Sequence, residues 1–181
     1  MGAALQDVTV RPALRDDSAE ALADAAGIAE VLNNVIAQRR YTALDGHWTA
    51  EAELAFLQSL GPRAGLFVAE IAGRIEGFQV VEPFATYTPT MDHVCLMGTY
   101  VHSNARRHGI GRRLARASLA FSRTQGFEKI VIYVLVHNRA AIAYYRSLGF
   151  EQRGILRGQT KVDGAYYDEV FMELYLLNKS G

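Results

Sequence analysis

Apolar and polar positions change period several times along the chain. Val8 to Arg11 is a short strand-like run stopped by Pro12. Leu22, Ala25, Ala29, Leu32 and Ile36 then recur at helical spacing to about Gln38, after Asp16, Asp17 and Ser18, any of which can cap the start. Gly27 weakens that helix and marks a point where it can break in two. Thr49 is a second N-cap, and Glu51 and Glu53 suit the positive end of a helix dipole. Ala52, Phe56 and Leu60 form the expected buried stripe of this helix, and Gly61-Pro62 ends it. The period then shortens. Leu66 to Ile71 and Arg74 to Val81 are strand-like runs joined by Ala72-Gly73, a hairpin pattern. Pro83 to Pro89 is a loop, and Val94 to Val101 is a further strand.

The second half alternates between helix and strand. Gly111 to Gln125 is a helix with Leu114, Ala117, Ser118 and Phe121 turned inward and Gly126 at its end. Ile130 to Val136 is apolar without interruption, as in a strand covered on both faces. Asn138 caps a helix that stops at Gly149. Phe150 to Leu156 and Tyr166 to Leu176 are two more strands, with a turn near Asp163-Gly164. Strand, helix, helix, three strands, helix, strand, helix, two strands describes an α/β domain with a mixed sheet.

Composition narrows the class. Half of the 181 residues are hydrophobic and 19 basic residues balance 19 acidic ones, which excludes a disordered chain and argues against nucleic acid as a partner. No apolar run approaches the roughly 20 residues of a membrane helix. The first residues lack a basic and apolar leader, and Gln6 stands where a myristoylation signal at Gly2 wants Ser or Thr. The single cysteine, Cys95, makes no internal disulfide. A soluble cytoplasmic protein is expected.

The neutral total hides a local excess. Arg106, Arg107, Arg112, Arg113 and Arg116 place 5 of the 19 basic residues within 11 positions, with no acid among them. They surround Arg106-Arg107-His108-Gly109-Ile110-Gly111, between a strand and a helix. Backbone N–H groups there converge with a helix N-terminus, and the two glycines leave room for close approach, an arrangement suited to a pyrophosphate. A P-loop would need Gly-Lys-Ser or Gly-Lys-Thr, which does not occur. A dinucleotide fingerprint would need a third glycine where Leu114 stands. The form Arg/Gln-x-x-Gly-x-Gly/Ala, a coenzyme A pyrophosphate loop, is met by Arg106, Gly109 and Gly111.

A second constellation follows: Asn138, Tyr145 seven residues later, then Leu148-Gly149-Phe150. With both motifs in this order, the sequence resembles the GNAT superfamily of N-acetyltransferases from Val94 to Phe150. The likeness extends to Val10-Arg11-Pro12-Ala13 and to the hairpin from Phe67 to Phe78. The resemblance implies a GNAT-like acyl-CoA N-acyltransferase fold of α+β type, a mixed and mostly antiparallel seven-stranded sheet flanked by helices, as one domain over residues 1–181. It implies acetyl-CoA as cosubstrate, and no metal is expected. Arg106, Arg107, His108, Gly109, Ile110, Gly111, Arg112 and Arg113 would hold the pyrophosphate, and Tyr100 and Val101 would pair with the pantetheine. Tyr145 is the expected general acid for the leaving thiolate. Asn138, on the same helix face, serves the cofactor, the helix cap or both, and Tyr144 is expected to pack in the core.

The general base stays open. Many members place a Glu on the fourth strand, and here that strand has none. Glu82, Asp92, His93 and His102 are the candidates. His93 and Cys95 share a strand face, but a buried thiol is the simpler reading than a Cys–His covalent route. The acceptor wall is expected from Arg39 to Trp48 and from Gly158 to Tyr167, with Tyr41, His47, Trp48, Tyr166 and Tyr167 as its aromatic residues. The expected reaction is direct acetyl transfer, in a ternary complex, to a primary amine of a small metabolite or amino acid. The balanced charge argues mildly against a polyamine. A protein N-terminal or lysine acetyltransferase and a non-catalytic acyl-CoA-binding module are the alternatives. The expected partners are a small amine, no nucleic acid and no membrane, and a homodimer is compatible with the sequence.

Overall fold

The computed structural model describes residues 7–176, so the Gly2 and Gln6 positions lie outside the described residues. The elements run β1 (Val8–Pro12), α1 (Ala19–Ala37), α2 (Ala50–Ser59), β2 (Gly65–Ile71), β3 (Arg74–Pro83), β4 (Val94–Val101), α3 (Ile110–Thr124), β5 (Lys129–Leu135), α4 (Arg139–Ser147), β6 (Glu151–Val162) and β7 (Ala165–Tyr175). The strands form one seven-stranded sheet in the order β1-β2-β3-β4-β5-β7-β6. Among the described residues only the β4–β5 pair is parallel. The mixed, mostly antiparallel sheet expected from the sequence is what the chain forms.

Strand alternation sorts the core into two layers. Cys95 and Met97 of β4, Ile130, Ile132 and Val134 of β5 and Val170 and Met172 of β7 pack under α3 and α4. Leu66 and Val68 of β2, Phe78 of β3 and the ring of Tyr100 pack against α1 and α2 on the opposite face. Tyr133, Leu135, Glu169 and Phe171 alternate with the α4-facing residues of β5 and β7, so they belong to the α1–α2 face.

Three local departures from the sequence reading have physical causes. Helix α1 is unbroken at Gly27. A Cβ there would stand 3.0 Å from Ile75 Cδ1, so glycine permits the close approach of α1 to the β2–β3 hairpin. Leu22 is exposed, and the buried stripe instead uses Ala21, Ile28, Val31 and Val35 together with Ala25, Ala29, Leu32 and Ile36. Helix α2 is rotated from the expected stripe. Ala52 is exposed, whereas Leu57, Leu60 and the carboxylate-bearing Glu53 face inward. Finally, β6 is longer than expected and reaches Val162, with a register shift against β7 between Leu156 and Thr160.

Candidate active site

The parallel pair at the centre of the sheet is short. Pairing of β4 with β5 covers only Val94–Leu96 against Lys129–Val131. Beyond those residues the strands part, and a cleft of about 430 Å³ opens between Met97–Tyr100 on one side and Tyr133–Leu135 on the other. Its remaining lining comes from Tyr41–Leu44, from Asn138, Ala141 and Tyr145 of α4, and from Gln159, Thr160 and Glu169 of β6 and β7. The apolar run of β5, expected to be covered on both faces, is therefore open at Tyr133, a residue 40% exposed.

The α4 side of the cleft holds Tyr145. Its hydroxyl donates to Thr99 Oγ1 at 2.8 Å, and Gln79 Nε2 donates to the same oxygen at 2.6 Å. Gln79 is fully buried, and its Oε1 has no hydrogen-bond partner among the described residues. Phe150 fixes the Tyr145 ring edge-on, with ring centroids 5.3 Å apart. Burial pushes the Tyr145 phenol well above the ordinary tyrosine range, the Thr99 hydrogen bond opposing, so its proton is retained at neutral pH. Asn138 caps α4 by accepting from the N–H of Ala141 at 3.2 Å, and it also lines the cleft.

Tyr144 does more than pack. Its hydroxyl donates to the carbonyl of Gly111 at 2.6 Å, and a Cβ on Gly111 would stand 3.1 Å from the Tyr144 ring. The first turn of α3 is thus seated against α4 at a position where any side chain crowds the ring. Just ahead, Gly109 occupies the helix N-cap at φ +75°, a left-handed conformation suited to glycine, and offers no side-chain cap. The first-turn N–H groups lie beside the exposed Arg107, His108 and Arg112. Not every expected residue turns toward this spot. Ile110 is buried in the core. Arg113 donates to the Val8 carbonyl at 3.1 Å. Arg106 donates to Gln38 Oε1 at 3.1 Å and lies 4.6 Å over the Tyr41 ring. The loop's fit to an anion therefore rests on its backbone and on Arg107 and Arg112.

On the α1–α2 face the polar groups are different. The Tyr100 ring stacks on Phe78 at 4.7 Å. Burial raises its pKa, a hydrogen bond from Thr42 opposes, and the carboxylates of Glu82 and Glu53 add to the rise. Glu53 is only 2% exposed, makes no hydrogen bond or ion pair through its side chain among the described residues, and is pushed up to about 7 by burial. Sequence reasoning placed it on the helix dipole and missed its inward position. The available signal was its i, i+4 spacing to Leu57, which competes with the equally regular series of Ala52, Phe56 and Leu60. Among the four candidate bases, Glu82 stands on this face with a pKa raised by burial, but none of Glu82, Asp92, His93 and His102 lines the cleft. His93 precedes β4 and is exposed, while Cys95 is fully buried with its thiol pushed up to about 12. The two share no reactive arrangement.

The two segments expected to form the acceptor wall do meet. Arg39 Nη2 contacts Asp163 Oδ1 at 2.5 Å and Arg39 Nε reaches Asp163 Oδ2 at 3.0 Å, tying the segment after α1 to the β6–β7 turn. Arg39 also pairs with Asp45, and His137 Nε2 is 2.7 Å from the Arg40 carbonyl. Tyr41 and Thr42 line the cleft, whereas His47, Trp48, Tyr166 and Tyr167 do not. Trp48 packs in the α1–α2 core, and Tyr167 stacks edge-on against His137. No helix among the described residues is long and apolar enough to cross a membrane.

Comparison with known proteins bears on this arrangement. A model of the acetyltransferase (GNAT) family matches residues 28–150, more than half of the chain. N-acetyltransferase family 8 member 3 of Rattus norvegicus is 34% identical over 88 residues, which cover 49% of this chain and 39% of that protein. Mycothiol acetyltransferase of Thermobispora bispora is 37% identical over 90 residues, covering 48% of this chain and 30% of that protein. The matched stretches thus span less than half the length of these relatives. Among solved structures, yncA of Salmonella typhimurium, determined with its cofactor acetyl-CoA, superposes with a TM-score of 0.84 at 22% identity, covering 96% of each chain. A likeness at that identity establishes the fold.

Proposed function

The chain belongs to the GNAT acetyltransferase family, and from that premise we propose that residues 1–181 are one acetyl-CoA-dependent N-acetyltransferase domain acting on a primary amine of a small molecule. The observation that carries the reading is the cleft between β4 and β5, which has a proton-holding phenol, Tyr145, on one face and the acceptor wall on the other. Bound there, acetyl-CoA would supply an acetyl thioester together with a pyrophosphate.

The backbone N–H groups from Arg107 to Arg112, at the glycine-capped start of α3, suit the pyrophosphate, that of Arg113 being bonded to the Gly109 carbonyl at 3.2 Å, and the helix dipole adds about half a positive charge. Met97 to Val101 of β4 has no paired strand on the β5 side among the described residues, which leaves that edge at Val101 open to an extended ligand whose carbonyl a backbone N–H can polarise; Tyr100 sits opposite Phe78 of β3, and the Val101 carbonyl accepts from Arg106 Nε at 3.4 Å. Asn138 keeps its side-chain N–H groups for the same ligand while its oxygen caps α4. Tyr145 holds at its phenol oxygen the proton that a leaving sulfur needs, and delivering it means turning that O–H from Thr99 Oγ1 toward the sulfur. The acceptor enters from the α1–α2 face, between Tyr41–Leu44 and the β6–β7 hairpin. Cys95 is buried away from the cleft, which favours direct attack in a ternary complex over an acyl-cysteine intermediate.

The test is release of free CoA thiol from acetyl-CoA across small amines, amino acids and peptides, with Tyr145→Phe beside the wild type. Turnover with a small amine is expected, and the variant should lose about 10²–10⁴-fold in kcat with acetyl-CoA binding retained. A full rate in the variant removes Tyr145 from the role of acid. Turnover confined to peptides or protein makes the enzyme a protein acetyltransferase. A melting-temperature rise with acetyl-CoA and no turnover with any amine makes it a binding module.

A further inference from the structure

The proposed reaction leaves the acceptor undefined, and the lining of the cleft bears on it. Of the residues that line it, Glu169 is the only one with an ionisable acid or base other than tyrosine, and no Arg, Lys or His is among them. Glu169 is 7% exposed and sits across from Leu135, where β5 and β7 pair beside the opening. Thr160, itself 7% exposed, donates to Glu169 Oε1 at 2.6 Å. Among the described residues no protein group donates to the second oxygen, Oε2. The carboxylate is thus oriented by one hydrogen bond and keeps an acceptor oxygen available. It also adds to the burial-driven rise in the Tyr133 phenol, which places the two side by side on the acceptor face.

The cations around the cleft mouth are committed elsewhere. Arg39 is held by Asp45 and Asp163. Arg157 pairs with Asp168 at 2.7 Å. Arg106 is bonded to Gln38, and both Arg106 and Arg40 lie over the Tyr41 ring. A half-buried cavity with one carboxylate and no matching cation accepts an ammonium group and repels a carboxylate on the same small molecule. Aromatic rings of Tyr41, Tyr100 and Tyr133 favour a cation in the same way.

We propose that Glu169 is the specificity-determining residue that docks the acceptor's ammonium group, and that the acceptor is a small amine with no carboxylate beside that group. The proposal rests on the N-acetyltransferase reading and narrows it, because it sets aside free amino acids. It also revises the expectation drawn from the neutral total charge, since the acceptor subsite is locally acidic.

Matched pairs that differ only by the carboxylate supply the test: 2-phenylethylamine against phenylalanine, agmatine against arginine, putrescine against ornithine. Thiol release should favour each amine over its amino acid by at least about tenfold in kcat/KM. Glu169→Gln keeps an oxygen for Thr160 and should raise the amine KM about tenfold or more, change kcat less, and erase the preference within each pair. The acetyl-CoA thermal shift of this variant should equal the wild type's, and Glu169→Asp should recover part of the preference. Calorimetric binding of the same pairs to the CoA-loaded protein reads the docking without turnover. Failure of all turnover with amine-selective binding retained overturns the enzyme reading and leaves the docking site standing. Better use of the amino acids, or a Glu169→Gln variant with unchanged KM and preference, overturns the proposal and assigns the substrate carboxylate to Arg40 or Arg106.

Discussion

On the α4 face of the cleft, the groups around Tyr145 are all neutral: Thr99, Gln79, Asn138 and Tyr144. On the α1–α2 face stand Glu53 and Glu82, near Tyr100, and Glu169, which lines the opening together with Tyr133. The difference follows from what each face must hold. A phenol that has to arrive protonated is served by desolvation and neutral hydrogen bonds, and a nearby cation would strip its proton. A cationic acceptor is served by carboxylates. One cleft through the sheet thus offers two electrostatic environments within a few residues of β4, because successive side chains on a strand face opposite sides.

The largest change expected from breaking this division is on the α4 face. Gly111→Val would press a branched side chain into the Tyr144 ring, an overpacking cost of about 1–3 kcal/mol and a melting-temperature fall of about 3–10 °C. Calorimetry should also show the thermal shift with acetyl-CoA lost. Retention of both values would mean that the α3–α4 seat is soft.

The next effect is on the acceptor face and is read through pH. Glu53 has a folded pKa of about 7 against an ordinary 4.5, so between those values the native state binds more protons than the unfolded chain. Its contribution is fully present below about pH 4.5 and is lost as the pH rises through 7, where ionising the buried group costs on the order of 2 kcal/mol. Denaturation of Glu53→Gln against wild type across pH 4–9 should therefore show the variant gaining relative stability as the pH rises. A constant difference across that range would place the Glu53 carboxylate in water.

The smallest effect is expected at the rim. Arg39→Ala removes the tie between the segment after α1 and the β6–β7 turn. The groups involved are exposed, so the melting temperature should stay within about a degree. Amine KM should rise about twofold with the acetyl-CoA thermal shift unchanged. A larger loss of acetyl-CoA binding than of amine binding would show that the two faces are not separable.

The same contrast explains what the sequence disclosed. The α4 face is written in two contiguous stretches, Arg106 to Gly111 and Asn138 to Phe150, whose glycines, asparagine and tyrosine have fixed spacings imposed by one loop and one short helix. The acceptor face is assembled from α2, β3, the segment at Tyr41, β5 and β7, so no local spacing announces it. Glu53 was hidden because Ala52, Phe56 and Leu60 present an equally regular apolar series, and only the packing of α2 on Tyr100 and Phe78 chooses between the two. Tyr133 was hidden because an apolar run is the mark of a strand buried on both faces, while the parting of β4 from β5 uncovers one of them. Residues 157–162 of β6 were unreadable as strand because a register shift interrupts their alternation.

The position of β7 between β5 and β6 has a consequence for the order in which the protein is made. Chain growth delivers the α3 loop, Asn138 and Tyr145 before any part of the β6–β7 hairpin has left the ribosome. Until β7 is synthesised, the β5 edge away from β4 has no neighbour, and Thr160, Asp163 and Glu169 are not in place. A nascent or truncated chain can therefore carry the whole cofactor loop and still lack the wall that selects the second substrate.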